Sequence, residues 1–309
     1  MTTDIAAPEA PEAPRPTVSL DGRSGGRKAK NTLATVLVWA AFLLALVPLV
    51  WIMWTVLGRG FHVLLSATWW QKDQSGALPP GFDTNVRGMR HALVGTLLMS
   101  LLTTVIAVPI AILTAIYLVE YGRGRVARVV SFMVDILSGI PSIVAALFIF
   151  AAWVTTFGLK IIPACASLAL AMLMIPVVTR STEEMLKLVP NELREASYAL
   201  GVPKWKTIVR IVLPTSFSGI VTGVLLGFSR VAGETAPLLL LAAYTPYLNE
   251  NLFSGSMAAL PTLINNQFLS INDPISGQRV WGAACTLILL VLVINLLGRL
   301  VGRLAKVKR

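Results

Sequence analysis

The sequence predicts an all-α integral membrane protein with six transmembrane helices, and three observations carry that expectation. Hydrophobic residues make up 55% of the 309 residues and charged ones only 13%, too little charge to cover a soluble domain of this size. Six apolar runs are each long enough to cross roughly 30 Å of hydrocarbon, which takes about 20 helical residues. Without water to satisfy the backbone, each such run has to be a helix. Finally, the net charge of +11 gathers at the ends of those runs, where it orients a membrane protein. No basic face interleaved with stacking aromatics points to nucleic acid.

In chain order, residues 1–30 are rich in Ala, Pro, Glu and Gly, with Pro8, Pro11, Pro14 and Pro16, and end on Arg27-Lys28-Ala29-Lys30. They hold too little apolar surface to fold, so a disordered cytoplasmic tail is expected over 1–30. Residues 31–60 form the first transmembrane helix, its apolar part at 33–57 marked by Trp39, Trp51 and Trp54. Because that run lies behind a long polar tail and five more follow, it reads as part of a polytopic protein rather than a cleaved signal peptide. Residues 61–90 are an external loop whose Trp69 and Trp70 suit the membrane interface. Spans near 91–119, 129–157, 161–179, 216–242 and 280–301 build a transmembrane core over 91–302, and 303–309 is a basic cytoplasmic tail.

Lys and Arg number nineteen on the side holding both termini and the connections near 123–128 and 180–210, against six on the other. That asymmetry puts both ends in the cytoplasm and the loop 243–279, rich in Asn, Ser and Pro, outside. Cys165 and Cys285 lie inside apolar runs without a metal-like spacing and read as small buried hydrophobes. His62 and His91 stand alone. There is neither a Ser/His/Asp nor a metal constellation to support hydrolysis, and no GxxxxGK[ST] loop to cradle ATP phosphates.

The cytoplasmic segment 181–215 is the most informative. Ser181-Thr182-Glu183-Glu184 reads as a capping box starting a short helix to Val189. Pro190 starts another, in which Leu193, Ala196, Ser197 and Leu200 recur at helical spacing. Gly201 is placed to stop it with a left-handed residue. Pro203 suits the first turn of a third helix, carrying Trp205, Ile208, Val209 and Val212 before Pro214 ends it. Helix, glycine corner and helix fit either two interfacial helices lying on lipid or a helix entering a protein groove. The small residues of the first helix favour the groove.

Within the fifth span lie Arg230 and Glu234. At about 1.5 Å per residue, Arg230 sits roughly 20 Å along that helix, where an arginine costs at least about 2.5–3.5 kcal/mol and has to face the bundle interior or a wet path. Two readings stay open. The pair either locks helices as an i,i+4 ion pair, or offers an arginine fork to a tetrahedral oxyanion, with Glu234 orienting or releasing it. Arg180 at the cytoplasmic end of the fourth span could snorkel. Asp135, early in the third, is expected to be the buried partner of a nearby cation or hydroxyl.

Glu195-Ala196-Ser197, three residues, Gly201, nine residues and Ile211-Val212-Leu213-Pro214 resemble the EAA motif of type I ABC-importer permeases. In that family the pattern is Glu-Ala-Ala, x3, Gly, x9, Ile-x-Leu-Pro, and only Ser197 departs from it. Leu137-Ser138-Gly139-Ile140-Pro141-Ser142-Ile143-Val144, the stretch Arg180–Pro190, and Arg230-Val231-Ala232-Gly233-Glu234-Thr235-Ala236-Pro237-Leu238-Leu239 further resemble the phosphate-importer permease family PstA. The likeness extends over roughly 88–301. The sister family PstC shares Gly-Ile-Pro-Ser and Gly-Glu-Thr but usually follows the latter with Met.

The resemblance implies a MetI-like permease fold with a peripheral first helix and a five-helix core. It implies that Arg180 and Arg230 lie on a phosphate path and that Glu195, Ala196, Ser197, Gly201, Leu213 and Pro214 couple to an ATPase. It also implies the partners: a homodimer of ATP-binding ABC subunits, a second PstC-like permease, an external phosphate-binding protein, and the surrounding membrane lipid. No cofactor is expected in this subunit, with ATP and Mg held by the ATPase. A PstC-like role, another oxyanion, and a secondary anion transporter using Glu234 as proton relay are the alternatives. The last leaves the EAA spacing unexplained, and a mere membrane scaffold leaves the buried arginine unexplained.

Overall fold

The computed structural model describes the backbone of residues 24–307 and the side chains of 27–302, and every regular element among them is helical. The chain divides after Trp54 into two units. In the first, residues 24–54 belong to α1 (Ser24–Leu64), an apolar rod with exposed Leu33, Trp39, Leu44 and Trp51. Residues 24–30, expected to be disordered, are helical, because Arg27, Lys28, Ala29 and Lys30 are good helix formers continuous with the apolar run. Residues 1–23 of the expected tail lie outside the described residues.

The second unit holds the rest. After α2 (Ala67–Gln71), α3 (Arg90–Ile116) runs on through a π-turn at Tyr117–Tyr121. It packs along α6 (Pro163–Lys187), the helix most enclosed by its neighbours. Small side chains make the approach close: Ala107 and Ala111 on α3 and Ala166 and Ala169 on α6 are fully buried. Polar groups pin the same seam. Thr103 Oγ1 donates to the Ser167 carbonyl at 3.1 Å, and Ser167 Oγ donates to the Met99 carbonyl at 3.1 Å. Cys165 and Cys285 are both buried, as expected.

Two expected spans are broken. The run 129–157 is a pair, α4 (Gly124–Gly139) and α5 (Ser142–Phe150), bent by 106°. Pro141 lacks an N–H and drives Ile140 out of the helical region, to φ −70° and ψ 129°. α5 continues as a π-turn, Ala151–Thr156. The run 216–242 splits into α9 (Leu213–Ala232) and α10 (Ala236–Leu241) around Gly233-Glu234-Thr235. Among the described residues, five helices are apolar and long enough to cross a membrane, or six if the bent pair is counted as one span.

The segment 181–215 also differs from its expected outline. No capping box forms at Ser181, because α6 runs uninterrupted to Lys187. Next come α7 (Asn191–Ala199) and α8 (Lys204–Thr207), which passes through a π-turn, Ile208–Val212, straight into α9. Pro214 thus ends no helix. The extra residue of the π-turn relieves the clash its ring would make with a carbonyl four residues back, leaving Pro214 in the first α-turn beyond.

On the opposite side the loop 243–279 is more than a solvent loop. Met257, Ala258, Ala259, Leu260 and Leu263 are buried as it leads into α11 (Leu260–Phe268), whose first N–H donates to Thr96 Oγ1 at 2.8 Å. Trp69, expected at the membrane interface, is fully buried, donating from Nε1 to Thr286 Oγ1 at 3.1 Å on α12 (Pro274–Val307). Gly282 lets it in: a Cβ there would meet the Trp69 ring at 2.9 Å.

Candidate functional site

Pro190 opens α7 and Gly201 closes it, at φ +73°. This is the left-handed conformation that glycine adopts without penalty. The Gly201 N–H donates to the Tyr198 carbonyl at 2.9 Å and the Val202 N–H to the Ser197 carbonyl at 3.2 Å, so the carbonyls of the last turn are satisfied. Ser197 is buried and shares a 2.8 Å hydrogen bond between its Oγ and Thr207 Oγ1. A small side chain is required there because that bond closes the corner between α7 and α8. Leu193, Ala196 and Leu200, at i, i+3 and i+7, point outward with Glu195, and Trp205 on α8 is exposed as well. Leu213 packs partly against the cluster of Leu186, Val189 and Val212.

The inward face of α7 carries Arg194, which the sequence pattern did not single out. It pairs with Glu120 of the π-turn after α3 at 2.9 Å. Asp83 and Arg279 are a second pair that went unforeseen. They meet at 2.5 Å with both side chains 3% exposed, tying the loop after α2 to α12. Burial opposes ionisation of Asp83. Hydrogen bonds from Arg279, the Asn85 N–H and Arg87 overcome it and hold the carboxyl well below the usual carboxylate range.

Arg180 is fully engaged. Its Nε and Nη2 donate to Asp135 Oδ1 at 3.1 and 2.5 Å, Nη1 to Glu183 Oε2 at 2.6 Å, and Nη2 also to Ser131 Oγ at 2.9 Å. Asp135 therefore does have a cation, but it is exposed rather than buried. Glu183 is shared with Lys187 Nζ at 2.7 Å.

Arg230 behaves differently. It sits in the last turn of α9, and Glu234 lies beyond the helix end, in the break before α10. Arg230 Nε and Glu234 Oε1 are 3.8 Å apart, with the side chains 51% and 19% exposed. That is an ion pair too long to be a hydrogen bond, so the guanidinium fork keeps its donors open. Among the described residues no hydrogen bond or ion pair links Arg180 to Arg230 or Glu234. One neighbour was missed: Asn295 Nδ2 on α12 donates to Ser229 Oγ at 2.6 Å, beside Arg230. The signal was an amide inside the apolar run Val293-Ile294-Asn295-Leu296.

Residues 107–307 match the family described as binding-protein-dependent transport system inner membrane component. Phosphate transport system permease protein PstA 1 of Mycobacterium tuberculosis (strain ATCC 25618 / H37Rv) is 50% identical, over 92% of this chain and 91% of its own length. PstA of Mycobacterium leprae (strain TN) is 52% identical over 88% of each chain, and PstA of Yersinia pestis 38% over 89% and 90%. The chain belongs to the PstA family of phosphate transport system permease proteins. It is accordingly a multi-pass inner-membrane transport component. Solved structures bear on its fold alone. A bacterial alginate ABC transporter in complex with an alginate pentasaccharide-bound periplasmic protein aligns at TM-score 0.62 and 16% identity, over 87% of this chain and 93% of the other. The methionine ABC transporter MetNI, in an inward-facing conformation, aligns at 0.55 and 21%, over 70% and 93%. The chain thus has the MetI-like ABC-importer permease fold. The family match encloses Arg180, Arg230, Glu234 and the whole EAA segment.

Proposed function

We propose that this PstA-family chain forms one half of the phosphate path of an ATP-driven importer and is driven through its EAA segment by a separate ATPase. The observation that carries the reading is the coupling corner. Gly201 turns α7 so that Leu193, Ala196 and Leu200 face away from the rest of the unit, leaving an apolar stripe that suits a groove on a partner. A homodimer of ABC subunits would supply that groove together with ATP and Mg, and a PstC-like permease would complete the path. A phosphate-binding protein would deliver its ligand on the outer side, with both termini in the cytoplasm.

Inside the path the chemistry is recognition without covalent change. Arg230, its fork open, offers paired donors to phosphate oxygens. Glu234, a like charge to phosphate, keeps the hold weak enough for release. Arg180 at the cytoplasmic end is held by Asp135 and Glu183, so phosphate would reach it by displacing a carboxylate.

The experiment is phosphate uptake into vesicles containing the whole complex, normalised to assembled protein. Arg230→Lys keeps the charge and loses the fork, and uptake should fall at least tenfold with assembly intact, a transition of about 1.4 kcal/mol or more. Near-normal uptake by Arg230→Met with Glu234→Gln would show instead that the pair is only architecture.

A further inference from the structure

The cytoplasmic end of α3 widens into the π-turn Tyr117–Tyr121, and that turn is gripped from two directions. Arg194, from the middle of α7, donates through Nε and Nη2 to Glu120 Oε1 at 3.0 and 2.9 Å. Its remaining donors reach the Val189 carbonyl at 2.6 Å, the Leu186 carbonyl at 3.0 Å and Asn191 Oδ1 at 3.3 Å. One guanidinium therefore binds α7, the end of α6 and the end of α3 together. The pair is enclosed, with Glu120 5% and Arg194 12% exposed. From beyond the glycine corner, Lys204 of α8 donates to the Glu120 carbonyl and lies 4.7 Å from the centroid of the Tyr121 ring.

Such an arrangement resists sliding. A surface pair exchanges its partners for water cheaply, whereas separating an enclosed pair strands a charge away from solvent. α3 is in turn a rod of about 40 Å at 1.5 Å per residue, pinned to α6 by Thr103 and Ser167 and reaching the outer side at Arg90. Resting on the coupling role assigned to α7 above, we propose that Glu120 and Arg194 are positioning residues that make α7 and α3 move as one body. The displacement imposed by the ATPase then enters the membrane through α3, not only through α6 and α9, between which α7 is strung. The pair stays closed throughout the cycle.

The test uses the full complex of ATPase, both permeases and binding protein in vesicles, with phosphate uptake and ATP hydrolysis measured on the same preparation. Glu120→Gln and Arg194→Lys should lower phosphate moved per ATP by about tenfold, the scale of a single coupling element, while the ATPase still co-purifies. A merely structural role would instead lower the amount of complex and leave the ratio unchanged, which would overturn the proposal. Where a single variant assembles poorly, Glu120→Cys with Arg194→Cys, in a chain whose Cys165 and Cys285 are alanine, decides the matter. Joined by a short bis-maleimide, to which both thiols add, this variant should regain the ratio, and unjoined it should not. Transport blocked by the link would show that the pair must open, against the proposal. The docking reading fails separately: it falls if Gly201→Val still captures the ATPase. If Gly201→Val loses the ATPase while Glu120→Gln keeps a wild-type ratio, the latch alone falls.

Discussion

The two aqueous faces of the molecule are built on opposite plans. On one, the loop after α2 folds back over α11 and the start of α12 and closes on itself: Trp69 and Met89 are fully buried, and Asp83 meets Arg279 away from solvent. On the other, α7 is fastened at a few points, by Ser197 to Thr207 and by Arg194 to Glu120, and leaves Leu193, Leu200 and Trp205 bare. The first face has built an enclosed apolar and charged core of its own, although Leu78, Phe82 and Phe253 at its surface stay exposed. The second has satisfied only what fixes its shape and kept its apolar side chains for something else. A soluble loop of sixteen residues does not hold a short helix with an exposed leucine stripe unless the helix is pinned from behind.

That contrast can be broken most violently at the ion pair of the closed face. Asp83→Leu leaves Arg279 enclosed with only carbonyls and a distant amide for company, at a cost of about 3–5 kcal/mol. Protease protection of residues 72–90 in purified protein should collapse, and protection equal to wild type would show the closed face does not depend on the pair. Gly201→Val comes next. Forcing a β-branched residue into the left-handed region costs about 1–2 kcal/mol, enough to distort the corner, and co-purification of the ATPase should be lost with the spans still inserted.

A subtler probe sharpens the comparison. Leu200→Ala changes a side chain that touches little, so thermal stability should shift by no more than about 0.5 kcal/mol, while ATPase association weakens. An equal loss of both would mean the stripe is packed rather than presented. Acid separates the faces in another way. The Asp83 carboxyl is depressed in the folded protein, so its stabilisation is in full force above the ordinary carboxylate value of about 4 and fades as pH drops through the folded value. Amide protection factors over 72–90, with the intrinsic pH dependence of exchange divided out, should therefore be flat from pH 7 to about 5 and fall only in stronger acid. The smallest effect concerns access alone. Leu78→Cys and Phe253→Cys should label from outside and Trp205→Cys only from inside, with no change in stability, and outside labelling at 205 would invert the assigned topology.

How much of this was legible beforehand depended on distance along the chain. The apolar runs, the glycine corner at Gly201 and the small residue at Ser197 are signals held within twenty residues, and the structure reproduces them. Bends were less visible. Hydropathy is blind to direction, so Leu137–Ser142 reads as continuous although Pro141 turns it, and the run 216–242 reads as continuous although it breaks at Gly233. Pro214 misled for the converse reason: a proline breaks an α-turn, but a π-turn just before it removes the clash. Pairings were least visible of all. Asp83 and Arg279 are separated by 196 positions, Glu120 and Arg194 by 74, and no local pattern connects them. Arg180 and Asp135 were each singled out, yet nothing in either stretch said they would find one another.

The π-turn at Ile208–Val212 has a consequence in phase. A π-turn is an α-helix carrying one surplus residue, and each residue of an α-helix advances the chain by about 100° around its axis. Deleting one residue between 208 and 212 would take up the surplus, bring back the clash at the Pro214 ring, and swing everything before it in the chain by about that angle relative to α9. α8 would carry the glycine corner around with it, and the leucine stripe of α7 would sweep through more than a quarter of a revolution. The surplus residue works as a phase-setter: it fixes the compass bearing on which the chain offers that stripe, independently of how deep α9 sits in the bilayer.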